Sequence, residues 1–184
     1  MCSRKMHSLK DSLSVRLTFW YALIFTVSSL FILGIFYQRV AHISMERTNQ
    51  ELSNELSEFI DMFTHEGRDH VIREMNREAV SEDTDKIFFR LISNSGKVLA
   101  TTPMESWGHI KVSPDFVHMT ISENTPVFET IELPHRKHQI RSIYGRIGPS
   151  LIMQIGQSLE ENEEYLYLFG KLVFILLLPL FIIA

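Results

Sequence analysis

Cysteine is nearly missing from this chain. Cys2 is the only one in 184 residues, so no disulfide can close within a single copy. It lies ahead of the first apolar segment rather than at its end, which argues against a lipoprotein anchor. There is no cysteine cluster and no His-x-x-x-His pair on a clear helix, so no ready-made zinc motif is present. A Gly-rich nucleotide loop is also missing. Positive charge is scarce: the net charge is −4, and the chain lacks the electrostatic footprint of a nucleic-acid binder.

What is present is an uneven distribution. Apolar residues gather near both ends, and charges crowd the middle. Residues 17–38 read LTFWYALIFTVSSLFILGIFYQ without one charge. A helix of about 20 residues crosses the bilayer hydrocarbon. Arg16 and Arg39 bracket the run, and Trp20, Tyr21 and Tyr37 sit near its ends as interfacial aromatics do. It is longer than the apolar part of a secretion signal and is followed by no Ala-x-Ala-like cleavage site, so it reads as an uncleaved anchor. Arg4, Lys5, Lys10 and Arg16 precede it against one acid, Asp11. The positive-inside rule then puts residues 1–16 in the cytoplasm and residues 39–164 outside. Residues 165–184, YLYLFGKLVFILLLPLFIIA, form a second apolar run broken only by Lys171, which can snorkel to the headgroups. From Leu172 onward it reaches about 20 Å, against about 30 Å of hydrocarbon, so a truncated second span is expected, with further sequence in the cytoplasm.

Between the spans the period changes twice. Leu52, Leu56, Phe59, Ile60 and Phe63 recur at helical spacing, and Gly67 permits a break after Glu66. A shorter helix is expected over residues 69–80, with Val71, Ile72 and Met75 inward. Residues 87–92 and 98–101 read as strands around the turn Asn94-Ser95-Gly96-Lys97. Ser113 and Pro114 open a short helix to about Thr120. Strands over 127–133, 139–147 and 151–156 follow. The expected fold is therefore α+β: two transmembrane helices flanking an extracytoplasmic PAS-like domain. In that domain a long N-terminal helix packs on an antiparallel sheet of about five strands.

Four stretches carry a family resemblance. RLTFWYAL at residues 16–23 resembles the opening of the first span in the heavy-metal-sensor type of bacterial histidine kinase. FFRLISNSGKVLA at 88–100 resembles the first sensor hairpin of that family. IRSIY at 140–144 and LIMQIGQSLE at 151–160 resemble its last two strands and the entry to the second span. The resemblance covers most of the chain and includes no catalytic signature.

It implies the input part of a two-component sensor kinase in the bacterial inner membrane, with a periplasmic or extracellular domain. Such a protein works as a homodimer. Its HAMP linker, phospho-accepting histidine and ATP- and Mg2+-binding domain would follow the second span, and a response regulator would be its cytoplasmic partner. No catalytic residue is assigned within residues 1–184. The alternative is the input domain of a cyclase or a chemoreceptor without kinase activity.

Seven of the eight histidines fall in the outer segment. Imidazole and thioether groups suit copper or silver ions, which singles out His42, His65, His118 and Met119 as candidate ligands. Scattered surface histidines are the plainer reading, because a metal site needs several ligands that converge. His135 and His138 flank Arg136 and Lys137, which repel a cation. A small-molecule ligand is the other class of stimulus the outer domain could take.

Overall fold

The computed structural model describes residues 13–134 and 137–183. Cys2, His135 and Arg136 lie outside them, as do the side chains of 13–15, 161–162, 173–174 and 176–183. The chain divides into two compact units, one of residues 1–42 and 164–184, the other Ile43–Glu163.

Helix α1, Leu13–Glu66, runs unbroken for 54 residues through both units. Its N-terminal part presents Leu17, Phe19, Trp20, Ile24, Phe25, Phe31 and Ile32 as exposed side chains. Among the described residues this is the one helix long and apolar enough to cross a membrane, judged by length and composition. Helix α4, Glu160–Ile183, occupies the place of the second expected span.

In the second unit α1 becomes amphipathic. Leu52, Leu56 and Phe59 are buried, at the three-and-four spacing that aligns them on one face. Gly67 ends the helix with φ of 80°, a left-handed value that glycine tolerates, and the chain doubles back into α2, Arg68–Ser81. Val71, Met75 and Ala79 of α2 are buried, while Ile72 packs partly buried against the same core.

The five strands are β1 (Ile87–Ser93), β2 (Val98–Thr101), β3 (Val127–Ile131), β4 (Ile140–Gly148) and β5 (Leu151–Ser158). They form one antiparallel sheet in the order β2-β1-β5-β4-β3. Helix α3, Pro114–Glu123, lies between β2 and β3 in sequence and closes at Asn124 in the left-handed conformation. Ser113 occupies its N-cap position without a side-chain capping bond. A 3-10 turn at Glu105–Trp107 is an addition to the expected elements.

Because side chains alternate along a strand, the sheet has two faces of different composition. Phe89, Leu91, Ile143, Ile147, Met153 and Ile155 point to the face covered by α1 and α2 and join one continuous apolar core. Asn49 of α1 adds a polar tie, accepting from Arg141 Nε at 2.8 Å. The opposite face, under segment 102–124, is divided. Phe88, Trp107, Ile110 and Ile140 make one apolar group, and Ile92, Val117, Tyr144 and Ile152 make another.

Candidate functional site

Between those two apolar groups runs a strip of polar side chains. Register builds it: Arg90 on β1 pairs with Gln154 on β5, Gln154 pairs with Tyr144 on β4, and Ser142 on β4 pairs with Glu129 on β3. All five therefore share the face opposite α1. Arg90 is 6% exposed, and Gln154 and Tyr144 are 0% exposed.

The hydrogen bonds in the strip have one direction. Tyr144 Oη donates to Glu129 Oε2 at 2.9 Å. Gln154 Nε2 donates to Tyr144 Oη at 2.8 Å and to Ser142 Oγ at 3.2 Å. Phe116 of α3 stacks on the Tyr144 ring with centroids 5.9 Å apart. Burial pushes the Tyr144 hydroxyl above its ordinary range, and the neighbouring Glu129 carboxylate pushes the same way. Burial also raises Glu129, against the bond from Tyr144, which favours its charged form.

Arg90 stands apart in this network. Its guanidinium lies over the Phe88 ring at 5.3 Å, and burial lowers its pKa. Among the described residues, Arg90 Nη1 and Gln154 Oε1 are buried without a hydrogen-bond partner. One is a donor and the other an acceptor, on adjacent strands.

Two further clusters lie elsewhere in this unit. A recess of about 180 Å³ on the α1 side is lined by Glu51, Leu52, Glu55, Glu78, Glu82, Ile87 and Gln157. Burial and then the repulsion of Glu78, Glu58, Glu82 and Glu74 push the Glu55 carboxyl up to about 7. On the other helix that adjoins the sheet, the first turn of α4 is tied to the segment before β4. His138 Nδ1 lies 2.8 Å from Glu163 Oε2, Gln139 N–H donates to Glu163 Oε1 at 3.2 Å, and Leu159 N–H donates to Gln139 O at 2.9 Å. His138 Nε2 faces Glu160 Oε1 at 3.8 Å. The two ring nitrogens thus face different carboxylates.

The residues singled out as metal ligands are spread out. His42 is exposed on the part of α1 that belongs to the first unit. His65 is exposed near the end of α1, its Nδ1 at 2.7 Å from Asp61 O. His118 and Met119 are exposed on α3. Since α1 and α3 cover opposite faces of the sheet, His65 does not meet His118 or Met119 within one copy. Among the described residues no group of three or more His, Cys, Asp or Glu is placed to hold a metal ion. The polar strip was not visible as a site in the sequence. Arg90 and Gln154 are single polar residues in apolar strands, and only the β1–β5 register joins them.

The fold defines an α+β module in which a long N-terminal helix covers one face of a five-stranded antiparallel sheet, preceded by an apolar helical stretch. No family model matches the chain, and no curated protein matches it. Among solved structures, one described as "Crystal Structure of CusS Sensor Domain with Silver Bound" shares 16% identity, with a TM-score of 0.42. The match covers 70% of this chain and 99% of that one.

Proposed function

We propose that the chain is the signal-input part of a membrane sensor histidine kinase. It detects an extracytoplasmic stimulus and passes it through two membrane helices to a cytoplasmic kinase that phosphorylates a response regulator. The resemblance of residues 16–23, 88–100, 140–144 and 151–160 to the heavy-metal-sensor kinases supports this reading.

The observation that carries it is the wiring of the module. Helix α1 is continuous in sequence from the apolar stretch to the residues that pack on the sheet. At the other end β5 is separated from α4 only by Leu159. A ligand that favours one arrangement of sheet and α1 therefore biases the two helices through covalent connections. The strand order β2-β1-β5-β4-β3 suits the PAS-like description, since it places the last strand at the centre. A sheet of this kind speaks against an all-helical chemoreceptor input; a cyclase input remains the second reading.

Soft-metal sensing through His42, His65, His118 and Met119 is part of the proposal. Within the second unit His65 and the His118–Met119 pair lie on opposite sides of the sheet, so ligands from both groups would come together only across a homodimer.

Topology is tested with reporter fusions in a bacterial inner membrane. Fusions after residues 50, 110 and 150 should be active only when the reporter is exported, and fusions near residue 16 only when it stays in the cytosol. The opposite pattern would remove the receptor reading. Joining residue 184 to a HAMP linker and kinase should then give phosphotransfer that changes with mutations in the outer domain.

A further inference from the structure

The buried face under segment 102–124 is not continuously apolar as the α1 face is. Its apolar residues fall into two groups, and the strip between them ends in a guanidinium. No hydrogen bond joins Arg90 to another described side chain; the Phe88 ring lies against its guanidinium. Glu129 does not compensate it: no ion pair joins the two, and neither group acts on the other's titration. A buried cation calls for an anion, since water can fill its hydrogen bonds but cannot cancel its charge.

The strip also dictates which atom of Gln154 is left over. Its Nε2 donates to Tyr144 Oη and Ser142 Oγ, so both amide hydrogens are committed. The Tyr144 proton is committed to Glu129. Gln154 Oε1 is left as an acceptor without a donor, beside the strand that carries Arg90. The amide cannot turn over without setting its oxygen against Tyr144 Oη, which has no proton to give it.

We propose that this strip binds a small carboxylic acid bearing a hydroxyl or amino group next to its carboxylate. Arg90 takes the carboxylate, and Gln154 Oε1 accepts from the neighbouring donor. The acid lies between strands β1 and β5 and the covering segment 102–124, with the Phe88 ring on one side and Tyr144 on the other. Arg90 supplies affinity through charge. Gln154 supplies selection, because a site built to meet a donor rejects an analogue that lacks it. The proposal deepens the sensor reading by naming a class of stimulus. Binding is measured on the chain alone, so its failure and a failure of the topology or phosphotransfer tests are distinguishable.

The test titrates the full chain in lipid nanodiscs with lactate and, separately, with acetate, following amide and guanidinium NMR signals. Saturable shifts should concentrate on residues 88–92, 142–144 and 152–156, with lactate binding about tenfold tighter than acetate. Arg90→Met should abolish both, Arg90→Lys should weaken both, and Gln154→Leu should bring lactate down to the acetate level. Absence of saturable shifts with both probes in the unaltered chain overturns the proposal. Shifts confined to other residues overturn it as well, as does lactate binding that survives Arg90→Met in a folded variant. Should Arg90→Met not fold, Arg90→Lys and the lactate-to-acetate ratio decide.

Discussion

Gly145 of β4 lies directly against Leu56 of α1, so close that a Cβ at position 145 would overlap the Leu56 side chain. Leu56 is itself buried in the continuous core, with little space to withdraw into. Gly145→Ala should therefore destabilise the domain by about 1–3 kcal/mol through overpacking. Combining it with Leu56→Ala should cost less than the sum of the two single changes. Urea unfolding of the four proteins in one detergent checks both statements.

Glu55 makes stability depend on pH. Its folded pKa, about 7, is above its ordinary value of 4.5, so the folded state holds the proton across that interval while the unfolded chain has released it. Stability from this group is full below about 4.5 and falls as the pH rises towards about 7. Glu55→Gln should remove that slope and raise stability at pH 8 by about 1 kcal/mol, after allowing for solvent screening at the open side of the recess. Thermal unfolding at pH 5, 6, 7 and 8 shows whether the two curves converge in acid.

Tyr144→Phe removes a donor to Glu129 and an acceptor for Gln154 in one step. The expected loss is about 1–3 kcal/mol, since Gln154 Nε2 keeps only Ser142 Oγ inside the sheet. The Tyr144 bond lowers the Glu129 pKa against burial, so its removal should move Glu129 further up. Carboxyl-carbon NMR titration reads that shift directly. An unchanged Glu129 curve would mean that the hydroxyl does not act on it.

The His138–Glu163 contact should hold the first turn of α4 to the end of the β3–β4 connection. Glu163→Gln and His138→Ala should each raise amide exchange at Gln139 and Leu159 by about fivefold, corresponding to about 1 kcal/mol of local stability. The double change should add little to either single one, because both break the same contact. Exchange measured by mass spectrometry on peptides spanning 137–163 would show it.

Much of this architecture can be read from residue order. The spacing of Leu52, Leu56 and Phe59 specifies a helix with one buried face, and Gly67 stands where that helix stops. Pro114 marks the start of α3, which then runs to Glu123, three residues beyond the expected end, because Asn124 rather than Thr120 provides the left-handed stop. Strand β3 ends at Ile131, earlier than the apolar pattern through Leu133 implies; Leu133 instead packs beside Phe88 and Trp107. The turn at Glu105–Trp107 has no periodicity to announce it and is fixed by tertiary contacts: Trp107 Nε1 donates to Thr84 O at 2.7 Å, and its ring meets Phe88 edge-on.

The polar strip was illegible for a different reason. Arg90 and Gln154 are 64 positions apart, and each stands alone in an apolar run. Nothing local says that they become neighbours; that follows from which strands pair and in what register. The histidines stand out in a sequence because they are chemically rich, yet side-chain chemistry does not say which face of a sheet its helix will cover.

The position of β5 bears on how the domain is made. Among the described residues β1 pairs only with β2 and β5, and β4 only with β3 and β5, so before residue 151 is synthesised the chain holds two hairpins with no strand pairing between them. The sheet can close only after its final strand has left the ribosome. Contacts so distant in sequence close slowly. Completion of the sheet thus coincides with delivery of α4, and a ribosome that stalls before residue 151 leaves two separate ribbons with bare edges, open to mispairing.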